Sequence, residues 1–208
     1  MRYRPDLDGL RAVAVLLVIA GHASWPVPNG AGTVGVTAFF VLSGYLITSL
    51  LTAERDRTGR IDLVAFYGRR ARRLVPTLVA VIVTCALLTL HGSWQPVPML
   101  AGTVTSLAWV TNWFSTSADL GPLGHTWSLA IEGQFYLAWP LIVLLLPRQA
   151  RFIALLGIAA AVVARLSVVD PYAAYFATAT RMDALLIGCL CALLGSVYPP
   201  AGAWSDSW

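Results

Sequence analysis

Apolar residues run along this chain in long blocks, without the polar positions that recur every turn of a water-soluble helix. Residues 12–53, 42 in a row, include no Asp, Glu, Lys or Arg, and residues 74–147 include only Asp119 and Glu132. Crossing a bilayer takes about 20 consecutive apolar residues, so blocks of this length predict membrane helices. The candidate spans are 10–23, 34–51, 74–90, 100–114, 126–146, 152–169 and 182–198. The first is short and can run on towards Pro26. Thr103, Thr105, Ser106, Thr111 and Asn112 make the fourth a candidate for a re-entrant or wholly buried segment. Pro26, Pro28, Asn29, Gly30 and Gly32 mark a first loop, and Gly121-Pro122 a later one. The expected fold is all-α, a polytopic transmembrane bundle of six or seven helices over 1–198, followed by an unassigned tail at 199–208.

Composition agrees. Of 208 residues, 58% are hydrophobic and 12% charged, against a globular norm of roughly 45–50% and 25%. That excludes a soluble domain, and the wealth of Leu, Val and aromatics excludes disorder. A signal peptide is the bland alternative for the N-terminus, with Gly21-His22-Ala23 as its cleavage site. Asp6 and Asp8 are unusual in such a leader, and the chain that follows is itself membrane-embedded. Cys85, Cys189 and Cys191 lie within apolar runs, at spacings that fit neither a disulfide framework nor a metal site.

The 14 basic residues are all arginine, and they border apolar spans instead of forming a nucleic-acid surface. Arg2, Arg4 and Arg11 precede the first span, and Arg55, Arg57, Arg60, Arg69, Arg70, Arg72 and Arg73 fill the connection after the second. Positive-inside then places the N-terminus and the 53–73 connection in the cytoplasm of a multi-pass cell-membrane protein. Strict alternation would put Arg148 and Arg151 outside, against the rule. Either the fourth span does not cross or the early helices dominate.

Four constellations could carry chemistry. Arg11 and His22 are close to three helical turns apart, on one stripe, separated by roughly 16 Å. A neutral imidazole in a bundle can take a hydroxyl proton near pH 7, and the bland reading is a hydrogen-bonded, inert histidine near the outer interface. His125, Ser128, Glu132 and Tyr136 follow at i, i+3, i+7 and i+11, which predicts one face of one helix, with Trp127 beside them. Glu132 is the only acid of its span, so it needs neutralisation or an internal partner, and a purely structural pin is equally open. The Arg69-Arg70-Ala71-Arg72-Arg73 cluster suits either lipid anchoring or phosphate recognition. Gly35, Ser43 and Gly44 read as close helix packing. Arg181 and Asp183 are two apart and need not pair.

In this order, the segments resemble the membrane acyltransferase 3 family. The residues that carry the resemblance are Asp8-Gly9-Leu10-Arg11 with His22, Gly35 with Phe39-Phe40-Val41-Leu42-Ser43-Gly44-Tyr45, and Phe66-Tyr67 with Arg69–Arg73 and Leu74-Val75-Pro76. To these add His125-Thr126-Trp127-Ser128-Leu129 with Glu132 and Gln134-Phe135-Tyr136-Leu137, and Arg181-Met182-Asp183-Ala184-Leu185-Leu186-Ile187-Gly188. The resemblance implies an O-acyltransferase that moves an acyl group, commonly acetyl, from cytoplasmic acyl-CoA to a hydroxyl of a glycan or similar acceptor. It implies catalytic work for His22 and Glu132, the latter orienting or stabilising partners. Arg11, Arg69, Arg70, Arg72 and Arg73 would hold coenzyme A phosphates, and His125, Trp127, Ser128 and Tyr136 would support substrate; no metal is implied. Thr37 stands where the family usually carries an acid, and Gly133 where it usually carries a second glutamate. The family's domain also has more helices than this chain has spans, so an inactive piece of such an enzyme is one rival reading. A transporter lined by intramembrane charges is another.

Overall fold

The computed structural model describes residues 5–23 and 30–195. Arg2 and Arg4, most of the first loop and the 199–208 tail lie outside the described residues. The chain folds as α1 (Pro5–His22), α2 (Ala31–Thr58), α3 (Leu63–Leu90), α4 (Pro96–Leu107), α5 (Thr111–Phe114), a 3-10 turn (Gly121–Thr126), α6 (Trp127–Leu145), α7 (Ala150–Ser167), α8 (Pro171–Phe176) and α9 (Thr178–Leu194). There is no strand among the described residues. Four stretches, α2, α3, Gly121–Leu145 and α7, are long and apolar enough to cross a membrane. The protein is an all-α, multi-pass membrane bundle.

Local chemistry sets the helix ends. Gly59 adopts φ 73° and closes α2, a left-handed position that favours glycine. Three residues on, the Asp62 carboxylate accepts the Ala65 N–H at 2.9 Å and opens α3. Arg55 and Arg57 lie in the last turn of α2, where the helix dipole favours cations.

Close contacts fix the helix directions. Gly21 meets Gly32, and Gly35 meets Ala14 and Val18, so α1 runs antiparallel to α2. A Cβ on Gly44 would lie 1.9 Å from the Leu185 carbonyl oxygen, and one on Gly188 would lie 2.0 Å from that of Val41. Each glycine therefore faces the carbonyl three residues before the other glycine, a small-residue crossing of α2 and α9. Ser43 reaches Glu132 and Trp139 reaches Thr48, which makes α6 parallel to α2; Arg181 lies over Trp127 at the start of α6 while Cys189 bonds Gly44, one residue beyond Ser43, so α9 runs the same way. Tyr67 bonds the Leu137 carbonyl while Cys85 packs on Leu123, so α3 opposes α6. Arg151 bonds the Leu193 carbonyl and Arg165 pairs with Asp183, so α7 opposes α9. The α3 and α7 windows are only 11% and 17% buried, against 50% for Gly121–Leu145. The peripheral helices turn Val83, Leu87, Leu156 and Val163 outward, as a lipid-facing surface requires.

The fourth candidate span is not a continuous helix. It breaks between α4 and α5 at Trp109, whose φ of 59° is the one positive value at a non-glycine among the described residues. Because α3 and α6 run in opposite directions, residues 91–126 start and finish at the same end of the bundle and make no net crossing. The polar residues that marked this segment are bonded internally: Ser106 to Thr126 at 2.7 Å, Thr126 to Thr111 at 3.1 Å, and Asn112 to Thr178 at 2.9 Å. The arrangement also removes the conflict over Arg148 and Arg151, which fall at the same end as the 59–62 connection. Gly133 has its own reason: the Trp109 ring lies against it, and a Cβ there would sit 2.0 Å from the ring.

Candidate active site

Two polar centres interrupt the apolar interior, one in the middle of the bundle and one at the end opposite the arginine-rich connections. The middle centre is built around Glu132, which is 8% exposed. The Ser43 hydroxyl donates to Glu132 Oε1 at 2.6 Å, and the Tyr136 hydroxyl donates to Oε2 at 2.9 Å, lying 3.2 Å from Ser43 Oγ. Arg70 and Arg11 are within electrostatic reach of the carboxylate. The Arg70 guanidinium stacks 5.4 Å from the Tyr136 ring and 5.7 Å from that of Phe66. Arg11 pairs with Asp8 at 3.3 Å and keeps its side chain 20% exposed. Glu132 thus has the internal partners that an acid in its span requires, and it ties α6 to α2.

The second centre is a cavity of about 290 Å³ lined by His22, Ser115, Asp119, His125, Trp127, Tyr172 and Phe176, among others. His22 Nδ1 lies 2.7 Å from the Val18 carbonyl oxygen, and His125 Nδ1 lies 2.6 Å from that of Pro122. A carbonyl only accepts, so each Nδ1 must carry the proton, and in a neutral ring each Nε2 is left as a proton acceptor. Both histidines are exposed at the bundle end. The expectation that His125 shares a helix face with Glu132 is corrected here. α6 starts at Trp127, and Gly121-Pro122 puts His125 in the preceding 3-10 turn. Its side chain consequently joins His22, while Glu132 lies five residues beyond Trp127, about 7.5 Å along α6.

The arginine cluster divides. Arg70 turns inward to the Glu132 centre, whereas Arg69, Arg72 and Arg73 are exposed. Arg69 pairs with Glu54 at 3.5 Å and Arg72 bonds the Gly68 carbonyl at 3.2 Å. Trp127 is buried and forms a wall of the cavity, and Ser128 is half-buried on α6. Sequence reasoning missed Ser43 as a Glu132 ligand, having assigned it to packing, and missed Asp119, Tyr172 and Phe176 altogether. The hydroxyl of Ser43 beside Gly44 in a charge-free run was the available signal; the aromatic pair on α8 had none. Among the described residues no group of three or more His, Cys, Asp or Glu is placed to hold a metal ion.

The family described as Acyltransferase domain matches residues 4–204. The chain belongs to this acyltransferase family. It is 40% identical over 227 aligned positions to O-acetyltransferase OatA of Staphylococcus aureus, covering 99% of this chain and 36% of that protein. It is 37% identical over 219 positions to the putative O-acetyltransferase SAR0937 of the same species, covering 96% of this chain and 36% of the relative. The chain therefore spans just over a third of the length of these curated relatives. No solved structure matches it. Of the R-x10-H pair, His22 lines the cavity and Arg11 pairs with Asp8 about three turns earlier on α1.

Proposed function

We propose that the chain carries the acyl-transfer machinery of a membrane O-acyltransferase, moving an acetyl or similar acyl group from acyl-CoA to a hydroxyl of a cell-surface glycan or related acceptor. The observation that carries the reading is the polarity of the bundle. Arginines crowd the connections at one end, and two histidines with accepting Nε2 atoms share a cavity at the other. The described connections at the histidine end, 91–126 and 168–177, have no arginine. By the positive-inside rule the arginine end and the N-terminus face the cytoplasm of the cell membrane. The O-acetyl group is that of the relatives' names, and the glycan class follows from the family resemblance.

On this reading Arg70 and Arg11 engage coenzyme A phosphates near the bundle middle, and Arg69, Arg72 and Arg73 draw the anion in from solvent. The roughly 16 Å rise from Arg11 to His22 is what the pantetheine arm has to bridge. At the cavity His22 Nε2 accepts the acceptor's hydroxyl proton while the oxygen attacks the acyl carbonyl carbon. The C–S bond then breaks with its electron pair on sulfur, and the proton held by His22 passes to the departing thiolate, restoring the base. Glu132 acts by holding Ser43, Tyr136 and Arg70 in place. The test is acyl transfer by the reconstituted protein: His22→Ala lowers turnover by about 10²–10⁴-fold with the fold intact, and undiminished turnover removes His22 from this role.

A further inference from the structure

The described connections at the histidine end contain two formal charges, and both are negative. Residues 91–126 and 168–177 include Asp119 and Asp170 and no Lys or Arg. Asp170 is used locally: its Oδ1 accepts the Tyr172 N–H at 2.9 Å and caps α8. Asp119 is used only in half. Its Oδ1 accepts the Gly121 N–H at 2.9 Å, and Oδ2 has no partner among the described residues. Asp119 is exposed, and it lines the same cavity as His22 and His125.

No arginine among the described residues lines that cavity to offset the carboxylate. Arg165 is held by Asp183, and Arg181 is buried against the Tyr175 and Trp127 rings, outside the lining. The apolar wall is one continuous aromatic run. Ring centroids lie 5.1 Å apart between Trp127 and Phe176, and 4.9 Å apart between Phe176 and Tyr172. The volume of about 290 Å³ stands at the lower end of the roughly 300–1,000 Å³ of small-molecule sites, room for one ring and not for a chain of them. Aromatic faces suit the C–H face of a sugar ring, and they also attract a cation. A carboxylate oxygen accepts from a hydroxyl or an ammonium and repels a second carboxylate.

We propose that Asp119 selects the acceptor by charge: the cavity admits a single sugar ring that is uncharged or amino-bearing, and refuses one that carries a carboxylate. That the ligand is a sugar and an acceptor rests on the acyl-transfer reading; the charge preference rests on the cavity alone. Oδ2 takes a hydrogen from a hydroxyl or ammonium of the ring, the ring lies against Tyr172, Phe176 and Trp127, and the reacting hydroxyl is left for His22. Selection of this kind is made in binding, so it appears in Kd and KM and leaves kcat nearly alone.

The test reads binding first and turnover second. Methyl glucoside, methyl glucosaminide and methyl glucuronide share a ring and differ in charge. Each is titrated near neutral pH and at low salt against the reconstituted protein and Asp119→Asn, with Kd taken from the shift in thermal unfolding and no acyl-CoA present. Asn keeps an oxygen for the Gly121 N–H, so the variant without ligand should unfold at the wild-type Tm. Expected in wild type is a glucuronide Kd about tenfold or more above that of the glucosaminide, with the glucoside between them. In Asp119→Asn the spread falls to about threefold or less, and added salt narrows it in wild type. With acyl-CoA present, kcat/KM follows the same order. A spread that ignores charge, a spread that survives in Asp119→Asn, or failure of all three sugars to bind overturns the proposal. An Asp119-dependent spread in a protein without acyl transfer refutes the acyl-transfer reading and supports charge selection alone.

Discussion

The two polar centres differ in whether their hydrogen bonds are complete. At Glu132 both carboxylate oxygens have hydroxyl donors, two arginines supply positive potential, and the residues are buried between α2 and α6. At the histidine cavity the Nδ1 atoms are pinned and the Nε2 atoms are left as acceptors. The Glu132 carboxylate, with both oxygens saturated in a low-dielectric interior, has no free position for an acceptor hydroxyl and a great deal to lose when disturbed. An unsaturated one beside a cavity has the opposite character. The contrast separates a structural pin from the proposed reaction site, although both drew attention in the sequence for the same reason, a titratable side chain in an apolar block.

That contrast breaks most visibly at His22. Its replacement by alanine should cost about 10²–10⁴-fold in turnover, the range for a positioned acid-base group, with thermal unfolding close to wild type because the side chain is exposed. Glu132→Ala should behave in reverse as regards stability. It strands the Ser43 and Tyr136 hydroxyls, a loss of about 1–3 kcal/mol, visible as a lower Tm, with Glu132→Gln recovering part of it. Gly44→Ala drives a methyl into the Leu185 carbonyl and should cost about 1–3 kcal/mol through separation of α2 and α9, read by the same unfolding experiment. The smallest effect belongs to Arg69→Gln. Its side chain is 58% exposed, so stability should not change measurably, and only the KM for acyl-CoA should rise, more steeply at low salt.

Much of this fold was legible because bilayer length and helix length coincide. Each predicted span has a helical counterpart, and the polar fourth span was already marked as one that need not cross. The sequence also identified Gly35 and Gly44 as packing positions, and they meet Ala14 and Leu185. What it could not show was direction around a helix end. His125 was counted on the α6 face because i+3, i+7 and i+11 spacing assumes continuous α-helix, and a 3-10 turn with a different residue angle intervenes. Nor does spacing reveal which member of Arg69–Arg73 turns inward, since that depends on Tyr136 and Phe66 lying beneath Arg70. Arg181 and Asp183 were correctly left unpaired, but Asp183's partner, Arg165 on α7, is a long-range contact invisible to local pattern.

The central claim is that acyl donor and hydroxyl acceptor enter from opposite ends of one bundle and meet at the histidine cavity. Proteoliposomes with the protein in a single orientation, labelled acyl-CoA confined to the arginine side and a hydroxyl acceptor to the histidine side, test it most directly. Labelled ester should accumulate on the histidine side in wild type and not in His22→Ala. Ester that forms only when donor and acceptor share one side, or that forms as fast in His22→Ala, would contradict it.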